Sequence, residues 1–274
     1  VANIVLNVWL VYGVGLGLAG SAWGTVSAQR AMALALLAVV ARGARRVRAP
    51  LLPHLEGIMR AALDGLPLLV RTVALRAVFL LTTWAAAGLG DVPLAAYQVS
   101  ATVWTFLAFS LDGLAIAGQA LTGRALGAGR VDEARALTAT MARWGIVLGF
   151  GFGALLLLLH DVLPMLFTAD PAVRSALSAA LFVVALGQPI AGLAFVLDGV
   201  LIGAGDARWL AGAQVALLAA YLPVLLATRA LLPEVSIGEL GPQEAAVGGL
   251  WVAFLVFMTL RALLLRHRSR TDAW

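Results

Sequence analysis

Long apolar runs separated by short polar connections are the main pattern along this chain. A helix that crosses a bilayer needs about 20 predominantly apolar residues, and seven segments are long enough. They lie at about residues 19–41, 62–88, 93–122, 137–159, 173–204, 207–230 and 245–265. Residues 1–12 have the composition expected at the end of an eighth segment. The pattern predicts an all-α polytopic membrane protein with seven full spans and a partial one.

Arginine-rich and acidic connections alternate along the chain. The arginine-rich ones carry Arg42, Arg45, Arg46, Arg48 and Arg60, then Arg124, Arg130 and Arg135, then Arg208, then Arg266, Arg268 and Arg270. The others carry Asp91, then Asp161 and Asp170, then Glu234, Glu239 and Glu244. Because basic residues beside membrane spans stay on the cytoplasmic side, we expect the arginine-rich connections and the C-terminus to be cytoplasmic. The chain is then a multi-pass protein of the cell (inner) membrane.

Composition indicates a lipid environment and argues against nucleic-acid binding and cysteine chemistry. The chain is 62% hydrophobic and 12% charged, with a mean hydropathy of +0.97, whereas soluble domains carry about 25% charged residues. All 19 basic residues are Arg, but they lie between apolar runs, which does not favour nucleic-acid binding. The absence of Cys excludes disulfides and thiolate chemistry. The Arg, Ala, Leu and Gly bias favours a GC-rich bacterial source.

No enzyme chemistry is predicted. The glycine-rich stretch 123–135 lacks the Gly-Lys-Ser/Thr of a phosphate-binding loop and follows no strand. Neither metal-ligand spacing nor a nucleophile–base pair is apparent in the sequence, so we expect no cofactor and no metal.

Residues 42–60 form the longest polar connection and mark the predicted domain boundary. The segment is basic and contains two prolines, so we interpret it as an interfacial linker between two helical units. The sequence starts at Val1, within an apolar run, from which we expect a truncated N-terminus.

Among the charged residues inside apolar spans, four are candidates for a role: Arg71, Arg76, Asp112 and Asp198. A charge at the bilayer centre costs at least about 2.5 kcal/mol, so these residues are expected to face the protein interior or water and to pair. We expect Arg71 to pair with Asp112, Asp198 or both. The pair either fixes helix packing or provides a carboxylate that binds a proton or a drug.

The two aspartates share the frame Leu-Asp-Gly, at 111–113 and 197–199. The repetition predicts that Gly113 and Gly199 both allow a close helix contact.

Several aromatic and amide side chains are candidates for a substrate cavity, where ring faces can bind organic cations. They are Tyr97, Gln98, Trp104 and Gln188. The alternative is that some of them face lipid or the protein core. Trp84 and Trp251, near span ends, are expected to be interface anchors.

Five motifs, in order along the chain, resemble the MATE (multidrug and toxic compound extrusion) family, in its DinF-like branch. They are NIVLN at 3–7, GLAGSAWGT at 17–25, QALTGRALGAG at 119–129, LFTADPAV at 166–173 and LDGVLIGAGD at 197–206. The resemblance implies a MATE-type bundle of twelve helices in two lobes. Residues 1–41 would then end the N-lobe, with part of the fifth helix and the sixth. Residues 42–60 would link the lobes, and 61–270 would form the C-lobe.

The resemblance also implies a function and a site. The family exports amphipathic, often cationic compounds in exchange for H⁺ or Na⁺. Its DinF-like members have an N-lobe cation site, whose matching positions here are Asn3, Asn7 and Thr25. Asn7 stands where those members have Asp, so this set carries no charge, and interhelical hydrogen bonds are the alternative role. Another branch uses an Asp that falls near Ala191 and a Glu on the seventh helix, and neither is present here.

Two other functions stay open: a flippase for lipid-linked saccharides from the same superfamily, and a membrane assembly protein without transport. Because one lobe and two helices do not enclose a cavity between two lobes, we expect these 274 residues alone not to transport.

Overall fold

The computed structural model describes residues 2–46, 54–232 and 241–271, and every regular element in these ranges is helical. The helices are α1 (Ala2–Val8), α2 (Gly17–Arg46), α3 (Leu55–Ala87), α4 (Asp91–Gly127), α5 (Val131–Leu159), α6 (Pro171–Gly203), α7 (Ala207–Leu231) and α8 (Pro242–Arg268). A π-helical turn at Trp9–Gly13 continues α1, and a 3₁₀ turn at Leu163–Leu166 precedes α6. Within the described residues, α2 to α8 are long and apolar enough to cross a membrane, which confirms the seven predicted spans.

The predicted linker 42–60 is helical at both ends. Helix α2 continues to Arg46 and α3 begins at Leu55, while residues 47–53 lie outside the described part of the chain. Arginine near a helix C-terminus interacts favourably with the helix dipole, and Arg45 and Arg46 occupy the last turn of α2. The basic run therefore extends a spanning helix as well as connecting two of them.

The chain divides into two compact units, Val1–Ala61 and Ala62–Trp274. In the first, α1 and the π-helical turn pack against α2, with Gly20 and Gly24 as its buried residues. In the second, α6 packs against α4, α5 and α8 and is the most buried spanning helix. Helix α6 is therefore the centre of the second unit.

Glycines allow α6 to lie close to its neighbours. A Cβ at Gly192 would collide with the backbone of Gly145 on α5, and a Cβ at Gly199 would collide with the backbone of Ala115 on α4. Helices in lipid associate through close van der Waals packing, because lipid chains are as apolar as the side chains. These small residues therefore position the α6 side chains against α4 and α5.

An aromatic cluster fills the core between α4 and α8. The rings of Trp104 and Phe254 meet edge to face with centroids 5.0 Å apart. Trp251 packs beside both and donates its indole N–H to Ser100 Oγ at 2.8 Å.

The expectation that Trp251 is an interface anchor is wrong, since it is 2% exposed and its polar atom is satisfied inside the protein. Trp84 is half exposed, with the Arg229 guanidinium 3.9 Å above its ring.

Candidate functional site

Asp198 lies at the centre of a buried ion cluster in the second unit. Arg71 on α3 donates from Nε to Asp198 Oδ1 at 3.1 Å, and its Nη2 pairs with Oδ2. On α8, Arg261 Nη2 lies 3.1 Å from Asp198 Oδ1. The predicted pairing of Arg71 with Asp198 is present, in the two-pronged geometry that makes an arginine–carboxylate bond strong.

The three side chains are largely shielded from solvent. Their exposed fractions are 15% for Arg71, 10% for Asp198 and 3% for Arg261. An ion desolvated to this degree is strongly unfavourable unless it is paired and hydrogen-bonded. One carboxylate on α6 thus joins α3 and α8 by contacts that are costly to break.

Asp112 on α4 completes the charge balance. It is partly exposed and interacts electrostatically with both Arg71 and Arg261. Two arginines therefore face two aspartates, and the four residues come from four different helices. The cluster is close to neutral as a whole, as expected for charges held within a membrane.

Arg261 is absent from the charges singled out in the sequence, although the predicted span 245–265 contains it. Arginines are common at span ends, and Arg261 lies only four residues before that predicted end. Its position within a predicted span could have identified Arg261 as a candidate from the sequence. Its complete burial, however, depends on packing against α6.

Arg76 does not belong to the cluster, and the expectation that it pairs is wrong among the described residues, whereas the expectation that it faces the interior or water stays a prediction. Its side chain is exposed. Five residues along a helix correspond to a rotation of about 140°, so Arg71 and Arg76 point to different sides of α3. Packing turns the Arg71 side of the helix towards α6 and leaves Arg76 outside.

The two Leu-Asp-Gly segments do not pack against neighbouring helices in the same way. A Cβ at Gly199 would strike α4 backbone, whereas a Cβ at Gly113 would meet open space. The expectation of a close contact at Gly113 is wrong, because that side of α4 faces away from α6.

The first unit brings two of its three predicted cation ligands together. Asn7 Nδ2 donates to Asn3 Oδ1 at 2.9 Å, which uses one of the two lone pairs of the Asn3 carbonyl. Asn7 Oδ1 is directed at Gly24 of α2, next to Thr25, and is buried without a hydrogen-bond partner among the described residues. The Asn7 oxygen is therefore an unsatisfied acceptor in the described part of the chain, and the set is neutral.

Three of the four predicted cavity residues are enclosed by protein. Tyr97, Trp104 and Gln188 are 2%, 4% and 1% exposed. Gln98 is exposed and lines a surface hollow of about 420 Å³ with Phe106. Contact of any of the four with a substrate stays a prediction, and Gln98 is the one that a molecule can reach in this structure.

Sequence relatives include plant and bacterial proteins. Protein DETOXIFICATION 43 of Arabidopsis thaliana is 30% identical over 279 residues, which cover 100% of this chain and 50% of that protein. The chloroplastic Protein DETOXIFICATION 44 is 32% identical with the same coverage. DNA damage-inducible protein F of Escherichia coli is 28% identical, covering 100% of this chain and 58% of that protein. The chain spans about half the length of the two plant relatives.

Solved structures share the fold. A mutant of the Vibrio cholerae MATE transporter VcmN superposes with a TM-score of 0.82 at 17% identity, covering 98% of this chain and 59% of that chain. A Pyrococcus furiosus transporter of the MOP superfamily gives 0.78 with the same identity and coverage.

Residues 67–227 include the α3 and α6 members of the ion cluster and make up more than half of the chain. They match the sequence profile of the family described as MatE. This chain therefore belongs to the MatE family of membrane transporters.

Proposed function

We propose that the whole protein exports amphipathic or cationic compounds across the cell membrane in exchange for H⁺ or Na⁺, by alternating access. Membership of the MatE family carries the proposal. The names of its relatives add support, since several are DETOXIFICATION proteins and one solved structure is a multidrug resistance MATE family transporter. The arginine-rich connections and the C-terminus would face the cytoplasm.

Within this function, the two aspartates have different roles. Asp198 receives contacts from two buried guanidinium groups, which favours a permanently ionised carboxylate that holds α3, α6 and α8 together. Asp112 is less enclosed and lies on the edge of the same cluster. It is the better candidate to exchange a proton or to contact a cationic substrate.

The polar set of the first unit would contribute neutral oxygen ligands to a cation. Asn7 Oδ1 has no hydrogen-bond partner among the described residues, and hard cations prefer oxygen ligands. Because Asn3, Asn7 and Thr25 carry no charge, a carboxylate from elsewhere would have to supply the negative charge.

Efflux of ethidium tests the proposal, measured in bacterial cells that lack their own exporters and express the complete gene containing this sequence. We expect energised cells to export the dye and Asp112→Asn to reduce export at unchanged membrane abundance. Asp161→Asn, at an exposed connection, serves as the matched control. If the wild-type protein is abundant in the membrane but exports neither ethidium nor norfloxacin, the proposed exporter function is contradicted. Full activity of both Asp112→Asn and Asp198→Asn would contradict a transport role for the cluster.

The main alternative is a flippase for lipid-linked saccharides, whose pyrophosphate would require uncompensated positive charge in the cavity. In this structure Arg71 and Arg261 both interact with aspartates, which favours the exporter. Arg76, which is exposed and outside the cluster, is the arginine that keeps the flippase open.

A further inference from the structure

A cationic cleft opens between α5, α6 and α8, at the end of the second unit where α5 begins and α8 ends. Its volume is about 480 Å³. Arg135 and Arg143 line it from α5, and Arg266 and Arg270 line it from the end of α8. None of the described lining residues carries a carboxylate. Arg135 has a partner of its own, so the positive charge of the cleft is assigned to Arg143, Arg266 and Arg270. The cleft does not include the Asp198 cluster.

An apolar groove begins where the cleft ends. This second cavity, of about 240 Å³, shares Ile146, Leu193 and Arg266 with the cleft. Its other lining residues are Pro189 and Ile190 of α6 and Thr259, Ala262 and Leu263 of α8. Seven residues of helix separate Thr259 from Arg266, about 10 Å along the axis. The groove thus runs from the charged end towards the middle of the spanning helices.

The two cavities together fit a molecule that has an anionic group at one end and an apolar chain at the other. Planar guanidinium groups bind phosphate oxygens well, because each presents several N–H donors in one plane. A long apolar groove beside a charged cleft suits an acyl chain attached to the same phosphate. A free phosphate would use the cleft alone and would leave the groove without an occupant.

We propose that this cleft and groove form a binding site for an anionic phospholipid, with its phosphate among the arginines and an acyl chain along Ile146, Leu193 and Leu263. The lipid would occupy the space between α5 and α8 that protein side chains leave open. A bound lipid of this kind would stabilise the contact of both helices with α6, because only the folded bundle forms the site. Basic residues near a membrane surface also attract anionic lipids in general, so the proposal concerns a defined site beyond that general attraction.

The test is native mass spectrometry of the purified 274-residue chain in detergent, titrated with phosphatidylglycerol or with zwitterionic phosphatidylcholine. We expect phosphatidylglycerol to bind about tenfold more tightly than phosphatidylcholine, and the double variant Arg143→Gln/Arg266→Gln to lose about tenfold in that affinity. The matched control is Arg124→Gln/Arg208→Gln, two exposed arginines outside the cleft, which should keep wild-type affinity. Equal losses in both double variants would overturn the defined site in favour of general charge attraction.

Two further arms separate the lipid from a free anion. Ile146→Trp fills the junction of cleft and groove without changing charge, so it should weaken phosphatidylglycerol binding severalfold while the melting temperature without lipid stays within a few degrees of wild type. Inorganic phosphate at millimolar concentration should not displace the lipid. Displacement by phosphate, together with wild-type lipid affinity in Ile146→Trp, would overturn the lipid and leave a phosphate site.

Discussion

Asp198 is the residue on which the buried charge of the second unit depends most. It interacts with Arg71 from α3 and Arg261 from α8, both within hydrogen-bonding or ion-pair distance. Breaking a buried ion pair by removing one partner costs more than the pair contributes, because the remaining charge is left desolvated. We therefore expect substitutions of Arg71 and Arg76 to have very different effects, although the two residues are only five positions apart on α3.

Arg71→Gln should reduce the free energy of unfolding by about 3 kcal/mol, because it removes the two-pronged partner of Asp198. Arg76→Gln is the matched control, on the same helix with an exposed side chain, and should change stability by less than about 0.5 kcal/mol. The measurement is unfolding of each purified variant in detergent, followed by circular dichroism. Equal effects of the two substitutions would show that the ion pair does not stabilise the bundle.

The amide pair of the first unit is a second case in which geometry decides what a residue can do. Asn3 and Asn7 are one helical turn apart, so the sequence places them on one face of α1. Whether both carbonyls point outwards or one accepts from the other amide depends on side-chain torsions, and here Asn7 donates to Asn3. That choice leaves the Asn7 oxygen without a hydrogen-bond donor among the described residues.

At the scale of helices, small residues set the distances between α6 and its neighbours. Gly192 faces Gly145 on α5, and Gly199 faces Ala115 on α4. These contacts fix the rotation of α6 and thereby direct Asp198, next to Gly199, towards α3 and α8. Helix packing and the ion cluster are therefore coupled through adjacent residues.

Gly199→Ala should destabilise the second unit by about 1–3 kcal/mol, because the added methyl group would meet α4 backbone that has no room to move. Gly113→Ala is its control in the same Leu-Asp-Gly frame. It adds a methyl group in open space and should be neutral or stabilising by up to about 1 kcal/mol, since Ala is the better helix former. Thermal unfolding in detergent compares the two, and a reversed order would contradict the close α4–α6 contact.

For the whole molecule, the alternation of arginine-rich and acidic connections predicts the orientation in the membrane. The chain has no Cys, so single cysteines can be introduced without removing others. Ala128 lies between α4 and α5 and Ala169 lies before α6, and both are exposed. They mark connections at opposite ends of α5.

In intact cells, a membrane-impermeant maleimide should label Ala169→Cys from outside and leave Ala128→Cys unlabelled until the cells are opened. The physical reason is that the arginines next to Ala128 are held on the cytoplasmic side. Labelling of both positions from the same side would contradict the spanning of α5, and inverted labelling would contradict the proposed orientation.

The sequence alone determined that the chain is a membrane protein with seven full spans, because the transfer of a helix into lipid depends on the summed polarity of its own 20 or so residues. It also predicted the family and the pairing of Arg71 with Asp198, because motifs are contiguous and a buried charge requires a partner. Tertiary structure decided that Arg261 joins that pair, that Arg76 stays outside, that Trp251 lies in the core and that only one of two identical Leu-Asp-Gly frames forms a close contact. These outcomes depend on how each helix is rotated against its neighbours. That rotation follows from packing among residues far apart in the chain, which no local pattern contains.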